Sequence, residues 1–514
     1  MQNAIRFNFR TCPMTEADSD VAILGSGFGG SIMALVLDSI GLAPVVLDRA
    51  EHPRFAIGES STPTANMILR ALAYRYNLPR LRPLSAHGSW REAYPEVTGG
   101  RKRGFSYFRH RRNEPFSPDP DHANELLVAA SSDPYHSDTQ WLRADVDAFL
   151  ADEVRAAGIP LWENTDVTNV EREDRWHVQG RHEGKPVECT ADFVIDATGG
   201  GQLLPSLGFA ESDESLETHS RALYGHFRNL PRWTEWLAEH GGRTADHPFP
   251  ADEAALHHVL DDGWLWELRF DNGRVSAGLV LDAEAHPLSS DVSPEEEWRA
   301  HLQDYPTLAD RFASADIVDP PGKIVRTGRL QRLVDQAAGP GWALLPFTAG
   351  FVDPLHSTGI AHTLSGVERL ARLFERHGTA PPESALHPYS EAVRQELQFV
   401  DDLVRLCYDA LPSFGAWTTS TMLYFAAATT YERRRDRADG VPDDPPAFLC
   451  ADEEVLRTAA RQARHQLFDQ PESPDGESGY AAFVEDAIAP FNEVGLFDPP
   501  TPNMYPHTAA PVGG

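Results

Sequence analysis

Cysteine is scarce. The 514 residues hold four, Cys12, Cys189, Cys407 and Cys450, and none forms a Cys-x-x-Cys pair. Neither a disulfide framework nor a zinc site is readable from that spacing, and no metal is expected. Long apolar runs are missing too. The nearest, residues 422–428, falls far short of the ~18 residues that span a bilayer. The first twenty residues mix Arg6, Arg10, Glu16 and Asp18 with short apolar stretches, so no signal peptide is read there. Positive charge is outnumbered, with Lys+Arg 45 against Asp+Glu 77 and a formal net charge of −32. Such a surface repels nucleic-acid phosphates and anionic lipid heads. Nucleic acid and membranes are therefore not expected as partners, and the chain reads as a soluble cytoplasmic protein. No internal repeat or long low-complexity segment is present. A hydrophobic share of 41% is enough for a sizeable core.

What is present begins with a dinucleotide site. Residues 21–24 predict a short buried strand, 31–39 a helix and 45–47 a second strand. Between the first two stands Gly25-Ser26-Gly27-Phe28-Gly29-Gly30. In this pattern Gly25 makes the tight turn, Gly27 lets the backbone approach a pyrophosphate, and Gly30 allows close helix–strand packing. The helix N-terminus then faces the phosphates. Asp48, 23 residues after Gly25, ends the second strand where an acid would bond ribose hydroxyls, with Arg49 beside it. Phe28 and Arg49 join the glycines and Asp48 as expected cofactor contacts. The turns Gly58-Glu59-Ser60 and Asp196-Ala197-Thr198-Gly199 favour FAD over NAD, because such turns line the extended flavin cofactor. No second fingerprint for a nicotinamide is evident. Reducing equivalents are therefore expected from a separate flavin reductase or from the substrate.

Further along, residues 145–157 carry apolar positions at helical spacing, and 193–195 read as a strand. Strands are expected at 264–270 and 275–281, joined through Asp271-Asn272-Gly273, a tight-turn signal. From about residue 381 the chain reads as helices, including 389–411, with loops at 439–446 and 469–476. Residues 1–18 read as a loose arm and 499–514 as an irregular tail.

Three stretches carry a resemblance: His52-Pro53-Arg54-Phe55-Ala56-Ile57-Gly58-Glu59-Ser60, Lys102-Arg103-Gly104-Phe105-Ser106-Tyr107-Phe108, and Phe351-Val352-Asp353-Pro354-Leu355-His356-Ser357-Thr358-Gly359. Through them, from about residue 20 to 366, the chain resembles the flavin-dependent halogenases, the tetracycline-type and phenolic-substrate branch more than the tryptophan-specific one. The resemblance implies an α/β fold. Its FAD-binding domain is doubly wound, of the glutathione-reductase and hydroxybenzoate-hydroxylase kind, with an inserted β-sheet substrate domain and a helical C-terminal region. It also implies that reduced FAD and oxygen convert chloride or bromide to hypohalous acid, and that a lysine aims the halogen at an electron-rich aromatic carbon.

Lys102 matches that lysine. A sheltered amine has a lowered pKa and is a better nucleophile. Read by itself, Arg101-Lys102-Arg103 is equally a surface basic cluster or a phosphate patch. Amides around Ser357, Thr358 and Gly359 could bind the halide, since successive N–H groups form an anion-binding concavity. The same segment, with Phe351, Asp353 and Pro354, also reads as a flavin-contacting loop. His356 stands where the tryptophan branch has a glutamate, and could act as a base toward a phenol. Glu59 is read as orienting the flavin loop.

Trp264 and Trp266 keep the family's tryptophan spacing and share one strand face with Leu268. They match residues credited with keeping substrate from the flavin, although a packed core face explains them equally. Arg269 replaces the proline of that motif, which keeps monooxygenation or dehydrogenation open. A degenerate flavin-binding homologue is a third reading. Pro346-Phe347 stands where many flavoproteins have Gly-Asp near the ribityl chain. The expected organisation is a discontinuous FAD domain with interleaved sheet over residues 1–380 (flavin segments about 18–80, 135–205 and 325–380) and a helical region over 381–514 closing the substrate pocket.

Overall fold

The computed structural model describes residues 16–437, 442–469 and 474–508. Most of the expected arm, parts of the two loops and the end of the tail lie outside these residues. Residues 16–18 already belong to the first strand, Glu16–Leu24.

Four parallel strands form the centre of the first sheet. In spatial order they are Trp342–Leu344, Lys185–Asp196, Glu16–Leu24 and Pro44–Leu47, with Leu161–Trp162 at the edge. Their inward residues, including Val21, Ala22, Ile23, Val46, Val194 and Ile195, are fully buried, as a sheet covered on both faces requires. Leu24 aligns with Leu47 and Asp196, and Asp196 with Leu344. All four carboxyl ends therefore open at one place, where ligands of open α/β sheets bind. The helix expected at 31–39 begins earlier, at Phe28, directly on the glycine turn. The strand expected at 193–195 is the end of a longer one that also pairs antiparallel with Trp176–His182.

A second sheet runs Asp316–Asp319, Ser220–Arg228, Val275–Asp282, Gly263–Arg269, Ala255–Val259, Gly104–Arg109, Glu125–Ala129 and Met504–Tyr505. The expected hairpin is present: Gly263–Arg269 pairs antiparallel with Val275–Asp282, and Gly273 takes a positive φ of 79° in its turn. Alternation divides this strand between two cores. Trp264, Trp266 and Leu268 face the main core, and Leu265 faces a second one built on Phe227, Trp298 and Phe312.

The helical region comprises Thr358–His377, Glu383–Asp409, Phe414–Arg437, Glu454–Asp469 and Pro474–Ile488. The helix expected at 389–411 is the second of these, longer at its start. Within the described residues the tail is tied to the second sheet. Met504–Tyr505 pairs with Leu127 and Val128, and Thr508 donates to the Ala129 carbonyl at 3.0 Å. It supplies hydrogen-bond partners to an edge strand that would otherwise present unpaired groups. Among the described residues no helix is long and apolar enough to cross a membrane.

Candidate active site

A cavity of about 710 Å³ opens where the four carboxyl ends meet the second sheet. The glycine turn forms its floor. Gly25 has φ +103°, and a Cβ there would come within 2.7 Å of the Ala197 carbonyl oxygen. A Cβ on Gly30 would lie 2.0 Å from the Gly25 oxygen, so that glycine is a packing requirement. Gly27 differs: the nearest atom to its missing Cβ is the Arg143 Nη2, at 3.6 Å, and it borders open cavity. Gly27 also precedes the helix Phe28–Ser39 without a side-chain cap, leaving first-turn N–H groups for an anionic ligand. Arg143 belongs to no motif and was not legible as a site residue. It grips Asp147 with two hydrogen bonds of 2.9 and 2.8 Å, reaches the Ile57 carbonyl at 3.0 Å, and lies 4.7 Å over the Phe28 ring.

Asp48 lines the cavity and ties the turn to the second strand. Its Oδ2 accepts from the Ser26 amide at 2.7 Å, the Ser26 hydroxyl at 2.8 Å and Arg54 at 3.0 Å. Arg49 lies exposed on the same rim. Glu59 and Ser60 are wall residues. The His226 Nε2 lies 3.2 Å from the buried Glu59 carboxylate, and the Ser357 hydroxyl donates to Ser60 at 3.1 Å. The structure corrects two expected contacts. Asp196 and Asp353 do not reach the cavity, because turn geometry uses their carboxylates. Asp196 accepts from the Thr198 and Leu204 amides at 2.9 and 2.7 Å, and Gly199 lines the cavity instead. Asp353 accepts from the Ser220 hydroxyl at 2.6 Å, Tyr408 at 2.9 Å and the Leu355 amide at 3.0 Å; burial pushes it up to about 6.

Phe351, Pro354, Ser357, Thr358 and Gly359 line the opposite wall. Ser357 has φ 53° and precedes the 20-residue helix Thr358–His377 with no side-chain cap, so a second helix N-terminus opens on the cavity. Arg332, another residue outside any motif, lies 4.7 Å over Phe347 and donates to the Phe347 carbonyl at 2.6 Å. Among the described residues it pairs with no carboxylate, and burial lowers it to about 10. Trp264, Trp266 and Leu268 complete the wall. Trp266 fits because Gly278 lies across from it; a Cβ there would be 2.0 Å from the indole. Arg269 points elsewhere, bonding Asp252 at 2.8 Å and the carbonyls of Leu230 and Pro231 at 3.0 and 2.6 Å.

Lys102 and His356 sit behind this wall. Lys102 is 0% exposed on a strand, Gly99–Lys102, that pairs with Asp138–Trp141 and sets Lys102 opposite Asp138. Its Nζ donates to the Ser61 carbonyl at 2.6 Å, one residue beyond the cavity wall, and lies 4.1 Å over the Phe105 ring. Burial lowers Lys102 to about 7 despite Asp138, whose own carboxyl burial pushes well up. The reading of Arg101-Lys102-Arg103 as a surface cluster is thereby excluded for Lys102. His356 is buried, stacked on Tyr424 at 4.2 Å, with its Nδ1 unpartnered; burial lowers it to about 3. His257, not anticipated, lines the cavity with its ring 5.1 Å from Trp264. Burial, then the Lys102 charge, lowers it to about 3.

Two uncapped helix N-termini, Arg143, the acid at the second strand end and an aromatic wall suit the pyrophosphate, ribose and ring of FAD. Fold and site together define a flavin-dependent oxidoreductase. The comparisons take this further. The family model described as tryptophan halogenase matches residues 112–413. The monodechloroaminopyrrolnitrin halogenase PrnC of Pseudomonas fluorescens is 30% identical over 484 residues, covering 88% of this chain and 82% of that protein. The tetracycline 7-halogenase of Kitasatospora aureofaciens is 27% identical over 428 residues, covering 81% and 74%. The crystal structure of halogenase PltM with phloroglucinol and FAD superposes with a TM-score of 0.82 at 23% identity, covering 96% of this chain and all of that one. The chain belongs to the tryptophan halogenase family: it is a flavin-dependent halogenase that binds FAD.

Proposed function

We propose that the enzyme takes FADH2 from a separate reductase and halogenates an electron-rich aromatic, phenolic or polyketide-like, with chloride or bromide. The overall oxidation balances as FADH2 + O2 + halide + H⁺ giving FAD, water and hypohalous acid. FAD supplies that redox chemistry when bound, and the chain's own residues direct its product. Amides of Thr358 and Gly359, with Ser357, hold the halide. The neutral Lys102 amine attacks the halogen of hypohalous acid; an N–halogen bond forms and water leaves. Transfer to the aromatic carbon then replaces a ring proton and restores the amine.

The observation that carries this reading is the burial of Lys102, with its lowering to about 7, one residue behind the Ser60 wall. A surface ammonium would be protonated and unreactive at neutral pH. His356, neutral with a free Nδ1, is suited to accept a hydrogen bond from a substrate hydroxyl; lowered to about 3, it is a weak base. Oxygen insertion, the competing reading, rested on Arg269, which is turned away from the cavity. The same reading has the helical region beyond residue 380 close the substrate pocket.

The test combines purified protein, FAD, a flavin reductase, NADH and bromide with a panel of phenols, read by mass spectrometry. Brominated product supports the proposal. Oxygenated or dehydrogenated product that ignores bromide overturns it.

A further inference from the structure

A second cluster lies at the end of the strand Glu125–Ala129 of the second sheet, among residues that do not line the flavin cavity. His122, Glu125 and His247 each present one ligand atom, all within 4.8 Å of one another. Their side chains are 1%, 3% and 2% exposed. The His122 Nδ1 lies against the Glu125 Oε1, and the His247 Nε2 is 3.4 Å from that same oxygen. Among the described residues, the ion-pair partners of Glu125 are these two imidazoles and no lysine or arginine. Two ring nitrogens and a carboxylate oxygen converging on one buried point are a donor set for a divalent cation, whose charge would offset the cost of burying the carboxylate.

We infer that His122, Glu125 and His247 form a zinc site. Two imidazoles and one carboxylate suit zinc and other late first-row metals over magnesium or calcium, which prefer oxygen. In a tetrahedral zinc site, ligand atoms ~2.0–2.2 Å from the metal stand about 3.4 Å apart, so the three need only shift modestly. Three protein ligands leave a fourth position for water. The outer arrangement also fits. Asp246 Oδ2 lies 3.3 Å from the other ring nitrogen of His122 and is itself held by Arg243 at 3.0 Å. A carboxylate on the far nitrogen of a ligating histidine fixes its tautomer and orientation.

The role is structural. The site joins the loop before the strand Glu125–Ala129 to the loop carrying His247. The C-terminal segment is fastened to the same place: Asn503 donates to the His122 carbonyl at 2.9 Å, and Met504–Tyr505 pairs two residues further along. Zinc would therefore secure the tail against the second sheet.

The full-length protein is treated with chelator, desalted and titrated with zinc, then separately with cobalt(II). One zinc per chain, a raised melting temperature, slower proteolysis of the C-terminal segment and visible cobalt d–d bands of tetrahedral type are expected. His247→Gln and Glu125→Gln should lose all four while still binding FAD. Absence of stoichiometric zinc in the unaltered protein overturns the inference whatever the variants do. Retention of zinc and the same cobalt spectrum in FAD-binding variants overturns it as well, since the metal would then lie elsewhere.

Discussion

If the Lys102 amine must be neutral to take up the halogen, coupling of flavin oxidation to product depends on pH. Lys102 is lowered to about 7, so its neutral fraction rises roughly tenfold between pH 6 and pH 8. The assay is halogenated product formed per NADH consumed, with hypohalous acid escaping to solution trapped by a thioether. Product per NADH should climb through an apparent pKa near 7 that belongs to the Lys102–Asp138 pair. Lys102→Met keeps the volume and the contact with Phe105 but has no amine. It should abolish product at every pH while trapped oxidant rises, and Lys102→Arg should not rescue it. Loss of Lys102 removes the main positive charge acting on the buried Asp138, whose Oδ2 has no hydrogen bond and whose Oδ1 accepts from the Asn66 amide at 2.7 Å. An unsatisfied buried group of this kind costs about 1–3 kcal/mol. Lys102→Met with Asp138→Asn should recover much of that stability and none of the product. The sign for stability is also fixed. As pH rises through about 7 the native protein sheds the Lys102 proton, while the unfolded chain keeps it to 10.5. The unaltered protein should gain stability relative to Lys102→Met across that window. Coupling that is flat with pH, or unchanged in Lys102→Met, would refute the reasoning.

Gly27→Val should fold, because nothing lies closer than 3.6 Å to the new Cβ, yet lose FAD affinity at least ~10-fold; unchanged affinity by fluorescence titration would remove Gly27 from the cofactor site. Gly278→Ala places a carbon 2.0 Å from the Trp266 ring, and should cost ~1–3 kcal/mol and displace that indole. Its melting temperature should fall and its product per NADH should drop; neither changing would show that Trp266 is not held by this contact. Without a reductase the protein should not consume NADH, as followed by absorbance; rapid consumption by the protein alone would point to a single-component enzyme.

The parts of the site legible in the sequence were local ones. Gly25 to Gly30, Asp48 and the Ser357 turn announce themselves because their chemistry is set by neighbours in the chain. Lys102 was half legible. Its flanking arginines suggest a charged surface, but strand alternation separates them: Arg101 turns out to Glu253 at 2.9 Å, and Lys102 turns in to Phe105. Arg143, His257 and Arg332 carry no motif, and only sheet pairing and helix docking bring them to the cavity. Asp196 and Asp353 were read as ligand contacts because acids in flavin loops invite it; backbone amides and hydroxyls within hydrogen-bond reach use their oxygens instead. His122 and His247, far apart in the chain, meet only across the folded second sheet.

Halogenation and oxygenation of the same aromatic differ in where the atoms of dioxygen go. Turnover under ¹⁸O2 with bromide, reductase and a phenol that the enzyme accepts, read by mass spectrometry, separates them directly. The expected product shows the paired bromine isotopes and no ¹⁸O, because the label leaves as water. Product that carries ¹⁸O, or that forms equally without halide, would contradict a halogenase.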